Sequence, residues 1–144
     1  MYPKSIEKLI ESFKMLPGVG NKSAERYALL MLEKSEEEIE SFANALISAK
    51  QNVKPCKICG NYTENDICDI CNDNSRDKET ICVVQSAKDV IAMEKTKEYH
   101  GMYHVLNGLI SSVKGIMPQD LNLDTLYNRL DNVKEVIIAT SPTL

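Results

Sequence analysis

The sequence predicts an α+β chain built from three consecutive modules: a helical module, a small four-cysteine motif and an incomplete α/β layer with parallel strands. Three observations support this prediction. Apolar residues recur at helical spacing in the first third of the chain, four cysteines lie within sixteen residues, and β-branched runs then alternate with helical patterns. We place the modules at residues 1–53, 54–75 and 76–144.

The composition is that of a globular protein. The chain has 144 residues, of which 43% are hydrophobic, and a formal net charge of −4. No apolar run approaches the roughly 18 residues that a membrane-spanning helix needs, and the N-terminus lacks the pattern of a secretory signal. We therefore expect a cytoplasmic protein. Net acidity excludes a uniformly basic surface, but it leaves room for a local patch that binds phosphate.

Three helices are predicted before residue 51. Ser5 is a candidate cap of the first helix and Asn21 of the second, while Ser35 and Glu38 form a capping box before the third. The three apolar stripes are Ile6, Leu9, Ile10 and Phe13; Ala24, Tyr27, Ala28 and Met31; and Ile39, Phe42, Ala43, Leu46 and Ile47. We interpret residues 5–50 as a compact three-helix module, in which two apolar helical stripes serve as core, subunit interface or both.

The segment "LPGVGNKSAER", residues 16–26, joins the first two helices. Gly18 and Gly20 permit a tight hairpin with no side chain in the way, so that backbone N–H groups face outward at the start of the second helix. Unpaired amides and the helix dipole favour an anion there. Lys22 and Arg26 lie one helical turn apart and add positive charge on the same face. Two helices joined by "PGVG" resemble the helix-hairpin-helix motif. The candidate DNA-binding residues are Gly18, Gly20, Lys22 and Arg26.

Such a hairpin would contact the sugar-phosphate backbone, so binding is expected to be independent of sequence and sensitive to salt. The alternative is a plain helical connection in which Gly18 is a C-cap. That alternative explains neither Gly20 nor Lys22.

Two C-x2-C pairs, Cys56 with Cys59 and Cys68 with Cys71, are separated by eight residues. Four thiolates at this spacing suit tetrahedral zinc, and such a site is structural because it has no open position for water. Gly60 and Asn72 follow the two pairs and are residue types that tolerate positive φ. The alternatives are a redox dithiol and a chance cluster. Elsewhere, Cys82 is predicted to be a small buried residue, and His100 and His104 to be structural or surface histidines.

The remainder of the chain alternates strands and helices. The segments "TICVV", "MYHVL" and "EVIIAT" are predicted to be buried parallel strands, and "AKDVIAMEK" and "LDTLYNRL" to be helices. A long connection spans residues 107–122. A three-stranded sheet of this kind looks unfinished, so either more strands follow in a longer protein or another chain covers its edge.

With these three parts in this order, the chain resembles the RecR family of bacterial recombination mediators, which combine a helix-hairpin-helix, a four-cysteine zinc motif and a Toprim domain. The resemblance rests on "LPGVGNKSAERYAL", "CKICGNYTENDICDICND", "ICVVQSAKDVIAMEKTKEYHGMYHVL", "GIMPQDL" and "EVIIATSPT". Lys22 and Arg26 match the hairpin residues expected to touch DNA. Cys56, Cys59, Cys68 and Cys71 match the zinc ligands.

The resemblance implies a non-enzymatic DNA-binding mediator of recombinational repair. Such proteins work with RecO, and in some settings RecF, to help load the recombinase onto single-stranded DNA. They assemble into homo-oligomers, either dimers or tetrameric rings that could encircle DNA. The resemblance also implies one structural zinc ion per chain and a C-terminus truncated within the Toprim domain. Whether single- or double-stranded DNA is preferred, and which surface meets RecO, stay open.

The chain departs from the Toprim pattern at the positions that carry acids in Toprim enzymes. Gln85 stands where those enzymes have a catalytic Glu, and a neutral amide cannot act as a carboxylate base. After "EVIIAT" come Ser141, Pro142 and Thr143 in place of an Asp-x-Asp pair. We therefore assign no catalytic residue. The alternatives are a fragment of a metal-dependent Toprim enzyme and a zinc-stabilised protein-interaction module.

Overall fold

The computed structural model describes residues 1–142, so that Thr143 and Leu144 at the end of the predicted third module lie outside the described residues. The chain forms two compact units, of which the first is Met1–Gln51 and the second begins at Asn52. The predicted fold class is confirmed: a helical N-terminal region precedes a four-cysteine motif and a parallel three-stranded sheet. Among the described helices, none combines the length and apolarity needed to cross a bilayer.

In the first unit, α1 is Lys4–Lys14, α2 is Asn21–Leu32 and α3 is Glu36–Asn52. Helices α1 and α2 pack together, with the Phe13 and Tyr27 rings in edge contact at 5.7 Å between centroids and Ala24 and Ala28 completely buried. Small residues at this spacing let the two helices approach closely, so the apolar stripe of α2 is confirmed as core.

Both predicted caps of α1 and α2 are wrong by one or two positions. Pro3 is the N-cap of α1, because its carbonyl accepts the N–H groups of Ile6 and Glu7 at 3.0 and 3.1 Å. Gly20 is the N-cap of α2, and its carbonyl accepts the Ala24 N–H at 2.9 Å. Asn21 is therefore the first helical residue and Ser5 lies inside α1.

Helix α3 begins with the predicted capping box. The Ser35 N–H donates to Glu38 Oε2 at 2.9 Å, and the Glu38 N–H donates to Ser35 Oγ at 3.2 Å. Beyond Ile39, however, the apolar stripe faces solvent, with Leu46 62% exposed. Helix α3 belongs to the compact unit Met1–Gln51, but its apolar stripe contributes little to a core within the described part of the chain.

The second unit is a small hairpin and a sheet with their connecting helices. Its elements in chain order are β1 Lys54–Pro55, β2 Tyr62–Thr63, α4 Asp69–Asn72, β3 Asp77–Val84, α5 Ala87–Thr96, β4 Gly101–Val105, a 3-10 turn Pro118–Asp120, α6 Asp124–Tyr127 and β5 Glu135–Ala139. Strands β1 and β2 are antiparallel. The sheet has the order β4-β3-β5 and both of its pairings are parallel, with Ile81 of β3 in register with Met102 and Val136.

Strand β3 lies at the centre of the sheet and divides its side chains between two clusters, as the alternation of strand side chains requires. On one face Cys82 and Val84 pack with Tyr103 and Val105 of β4 and Val90 of α5. The other face joins the cysteine motif in one cluster composed of Cys56, Cys59, Cys68, Cys71, Ile81, Val83, Met102, Leu106 and Leu126. The four cysteines therefore share a core with the sheet.

Two predictions for the end of the chain need correction. Strand β5 pairs as expected, but it is an exposed edge strand, with Ile138 67% exposed, because it is last in the strand order. The helix predicted in "LDTLYNRL" is the single turn α6, in which Leu126 is buried and Tyr127 is exposed. The Asn and Asp residues that follow this turn favour hydrogen bonds to nearby backbone over helix.

A half-buried ion pair fixes α5 to the start of β3. Arg76 donates from both terminal nitrogens to the Glu94 carboxylate, at 2.7 and 3.0 Å, and from Nε to the Gly101 carbonyl at 2.9 Å. The Tyr103 hydroxyl donates to the same carboxylate at 2.6 Å. These donors, Arg76 first, lower the pKa of Glu94 below its ordinary value.

We expect Glu94→Ala to lower the free energy of unfolding of the second unit by about 2 kcal/mol, since it leaves a half-buried guanidinium and a buried hydroxyl without their acceptor. Denaturant titration followed by circular dichroism measures this loss. The control is Lys134→Ala, which removes an exposed pair with Glu79 and should cost below about 1 kcal/mol. Equal losses of stability for the two variants would show that the Arg76–Glu94 pair contributes no more to the free energy of unfolding than an exposed ion pair does.

Candidate metal centre and nucleic-acid interface

The four cysteines of the motif are brought together by two short turns. Their Sγ atoms all lie within 4.8 Å of one another, and Cys59 Sγ is 3.6 Å from Cys68 Sγ. Sulfurs bound to one tetrahedral zinc at about 2.3 Å are separated by about 3.8 Å. The four side chains therefore fit one zinc ion, and this group is the single cluster of three or more His, Cys, Asp or Glu side chains found among residues 1–142.

Backbone groups of the two turns shape the site. The Cys68 N–H donates to Cys56 Sγ at 3.3 Å, and the Asn61 N–H donates to Cys59 Sγ at 3.4 Å, as is favourable for thiolates. Gly60 has the predicted positive φ, at 79°. Asn72 does not have one, because the turn of the second pair is the single helical turn α4, of which Asn72 is the last residue.

The thiols interact strongly with one another. Hydrogen bonds from Cys59 and Cys71 lower the pKa of Cys68 to about 2, whereas the contact with Cys68 raises the pKa of Cys59 to about 12. The pKa of Cys71 also lies well above its ordinary value, chiefly through its hydrogen bond with Cys59. Because thiolates this close repel one another, a bound cation favours the ionisation of all four cysteines.

The remaining cysteine and the two histidines lie outside this cluster. Cys82 is completely buried beside Met93, as predicted, and burial raises the pKa of its thiol. His104 is completely buried and Arg129 donates to its Nδ1 at 2.9 Å, so Nε2 carries the proton and donates to the Asn122 carbonyl at 2.6 Å. Burial lowers the pKa of His104, consistent with a neutral structural histidine. His100 is exposed.

The two hairpin glycines play different parts. Gly18 has φ +80°, a left-handed conformation that favours glycine. Gly20 has φ −87° and ψ 179°, which any residue adopts, and a Cβ built on either glycine would meet no atom within 4 Å. The chain conformation therefore explains Gly18 but not Gly20. The missing side chain of Gly20 leaves open space in front of the α2 N-terminus.

The N-terminus of α2 is exposed and electropositive. It has no side-chain cap and no acidic residue in its first turn. Lys22 and Arg26 are both exposed, and the Arg26 guanidinium lies 5.4 Å from the centroid of the Tyr27 ring. Glu25, the nearest acid in sequence, accepts a hydrogen bond from the Tyr2 hydroxyl. The arrangement suits an anion that approaches along the helix axis past Gly20.

The carboxyl end of β3 carries no cluster of acids among the described residues. Gln85 follows β3 directly, and its carbonyl accepts the Gly108 N–H at 3.1 Å. The nearby Asp89 carboxylate caps α5 by accepting from the Ser86 N–H at 2.9 Å and from its hydroxyl at 3.2 Å. Asp89 is thereby engaged in the fold of α5.

One feature of the metal motif was not predicted from the sequence, namely its attachment to the sheet. The Val105 N–H at the end of β4 donates to the Cys59 carbonyl at 2.7 Å. Ile58 and Ile70, each inside a C-x2-C pair, pack against the core shared with β3 and β4. These two residues, with Ile67 beside the second pair, are apolar side chains in a largely polar segment, and they were the available signal that the motif packs on another element.

Three family models match the chain in sequence. The model of the RecR helix-hairpin-helix matches residues 6–50, the model of the RecR zinc finger domain with four cysteines matches residues 53–73, and the model of the Toprim domain matches residues 79–144. The three matches follow one another in the order of the observed modules and leave few residues unmatched. Zinc is therefore the metal that the four cysteines suit, and recombination and DNA repair are the processes to which the domains point. The chain belongs to the RecR family of recombination mediators.

Proposed function

We propose that this protein is a non-enzymatic mediator of recombinational DNA repair that binds DNA without sequence preference through the α1–α2 hairpin. In this role it helps to load the recombinase onto single-stranded DNA, together with RecO and in some settings RecF, in the cytoplasm. The observation that carries the proposal is the exposed, uncapped N-terminus of α2, flanked by Lys22 and Arg26, within the segment that matches a RecR helix-hairpin-helix.

The proposed contact is with a DNA phosphate. The first backbone N–H groups of α2 donate to phosphate oxygens, and the helix dipole favours the negative charge. Lys22 and Arg26 add charge on the same side of the helix. Gly18 shapes the turn, and Gly20 lets the DNA backbone come close. Because every phosphate offers the same contact, affinity depends on salt and not on base sequence.

The proposed ligands of zinc are Cys56, Cys59, Cys68 and Cys71. When bound, the ion neutralises the thiolates and closes the motif, and four protein ligands leave no position for a reacting water. The metal therefore has a structural role. We also propose no catalytic role for the carboxyl end of the sheet. Metal-dependent phosphoryl chemistry needs carboxylate ligands that face the substrate, whereas Gln85 is a neutral amide and the Asp89 carboxylate caps α5.

We further propose that the protein acts as a homo-oligomer, either a dimer or a tetrameric ring. One hairpin supplies two cationic side chains, so a single chain binds DNA weakly, whereas several linked hairpins bind with much higher avidity. Each unit has exposed apolar side chains of the kind that subunit contacts bury, on α3 in the first and on β5 in the second, where Phe42 is 48% and Ile138 is 67% exposed.

The substitution Gly20→Ser tests the DNA contact against a purely structural role. Serine is a favoured N-cap residue, and φ at this position is ordinary, so the variant should be as stable as the wild type or slightly more stable. The new side chain occupies the space in front of α2 and competes for its N–H groups, so DNA affinity should fall severalfold. Thermal unfolding and fluorescence anisotropy with labelled DNA measure the two effects.

Gly18→Ala provides the contrasting control. An alanine at φ +80° is strained, so we expect a loss of stability of about 1 kcal/mol. A Gly20→Ser variant that binds DNA as tightly as the wild type would contradict the proposed approach of DNA past Gly20. That outcome would favour the interpretation of the segment as a plain helical connection.

A further inference from the structure

Three segments of the second unit meet at Val105, the last residue of β4. Strand β4 is at one edge of the sheet, and the backbone groups of Val105 point away from β3, since the adjacent Leu106 N–H is the one that donates to Val84. The Val105 N–H donates to the Cys59 carbonyl at 2.7 Å. The Val105 carbonyl accepts from Asn122 Nδ2 at 3.2 Å. The metal motif thus accepts a hydrogen bond from the Val105 N–H, and the end of the 107–122 loop donates one to the Val105 carbonyl.

Gly60 brings the metal motif into direct contact with Asn122. It is buried, has φ +79°, and a Cβ at this position would lie 2.9 Å from both Asn122 Nδ2 and the Val105 carbonyl oxygen. Only glycine fits against these two atoms without displacement. The turn that follows the first cysteine pair and the Asn122 side chain therefore constrain each other's position.

The backbone of Asn122 is held as firmly as its side chain. Its N–H donates to the Leu106 carbonyl at 3.1 Å, and its carbonyl accepts from the buried His104 ring at 2.6 Å. Arg129 in turn donates to His104 Nδ1 at 2.9 Å. At the other end of the loop, the Gly108 N–H donates to the Gln85 carbonyl at 3.1 Å. The loop is therefore anchored at its two ends, and Asn122 is the anchor that touches the metal motif.

We propose that metal occupancy of the four-cysteine site fixes the conformation of the 107–122 loop, and that Asn122 is the positioning residue that connects the two. The first cysteine pair is flanked by the two-residue strands β1 and β2, which have little stability of their own, so the ion is what holds Cys59 and Gly60 in place against Val105 and Asn122. When the ion leaves, the loop loses the contact between Asn122 and the turn at Gly60. The inference rests on the proposed zinc site.

The loop lies where a change in its conformation would affect the binding of other molecules. It follows the carboxyl end of β4 and is hydrogen-bonded through Gly108 to Gln85 at the carboxyl end of β3, the edge at which parallel sheets place their ligands. It also carries exposed apolar side chains, with Val113 96%, Ile110 53% and Met117 47% exposed. Loss of the metal would alter this surface without any change in the loop's own sequence.

Hydrogen exchange followed by mass spectrometry tests the inference on the full chain. In the zinc-loaded protein, Asn122→Ala should raise the exchange rate of residues 107–122 about tenfold or more, while zinc content stays at one per chain and β3 exchanges as in the wild type. The matched control is Asn128→Ala at an exposed position after α6, which should leave the loop unchanged. A loop in Asn122→Ala that exchanges at the wild-type rate would overturn the role of Asn122.

Removal of zinc from the wild-type chain with a chelator provides the second arm. Exchange in residues 107–122 should accelerate about tenfold or more, whether alone or together with the rest of the second unit, while α1 and α2 exchange as before. An unchanged loop after verified loss of zinc would overturn the metal dependence and leave the zinc site intact. A purified protein that contains no metal would instead overturn the zinc site and this inference with it.

Discussion

The double substitution Lys22→Ala and Arg26→Ala is expected to weaken DNA binding about tenfold or more at about 0.1 M salt, and to do so equally for DNAs of unrelated sequence. Both side chains are exposed beside the uncapped N-terminus of α2, so their removal deletes charge without disturbing the core. Fluorescence anisotropy with two labelled DNAs of different sequence, each in single- and double-stranded form, measures the loss.

The control for this prediction removes the same amount of charge elsewhere in the first unit. Lys34 lies two residues before α3 and Lys50 lies in its last turn, and both are exposed. Their replacement by alanine lowers the net charge equally, so it reports the contribution of general attraction between the chain and DNA. If the two double variants bind DNA equally well, the hairpin has no particular role and the contact is a property of overall charge.

The second large effect is expected from Cys68→Ser, which should abolish stoichiometric zinc binding and destabilise the second unit by several kcal/mol. Zinc binding contributes about 10 kcal/mol or more to the folding of small four-ligand motifs, and a serine hydroxyl is a poor substitute for a thiolate. Since the four cysteines share a core with Ile81 and Met102, the loss should extend to the sheet. Metal analysis and denaturant unfolding measure the two effects.

Cys82→Ser is the matched control, because Cys82 is buried on the opposite face of β3 and lies outside the metal cluster. Its replacement should reduce stability modestly but leave one zinc per chain. A Cys68→Ser protein with full zinc content and wild-type stability would contradict the proposed site. A Cys82→Ser protein that lost its zinc would show that metal retention reports general stability instead of direct ligation.

Features that depend on local chemistry could be predicted from the sequence. The capping box at Ser35 and Glu38 formed as expected because its two hydrogen bonds join residues three positions apart. The parallel pairing of "TICVV" with the two later strands was predictable because strands and helices alternate in this part of the sequence. The cysteine cluster was predictable because C-x2-C spacing largely fixes which sulfurs share an ion.

Features that depend on residues distant in the chain could not be predicted from the sequence. The α3 stripe and β5 have the composition of buried elements, yet Leu46 and Ile138 are exposed, because a stripe does not reveal what covers it. The contact of Gly60 with Asn122 joins segments far apart in the chain, which no local pattern reports. Gly18 and Gly20 were interpreted together as the residues that permit a tight hairpin, but the backbone of Gly20 is ordinary, and only the structure separates its role from that of Gly18.

The salt dependence of DNA binding is the sharpest test of whether the α1–α2 hairpin is the DNA-binding element. The slope of the logarithm of the association constant against the logarithm of salt concentration should be shallower for the Lys22→Ala, Arg26→Ala protein than for the wild type, by an amount equal to about one to two phosphate contacts. Lys34→Ala with Lys50→Ala should keep the wild-type slope. Equal slopes for the wild type and the hairpin variant, or a wild-type chain that binds no DNA at low salt, would contradict the assignment of the α1–α2 hairpin as the DNA-binding element.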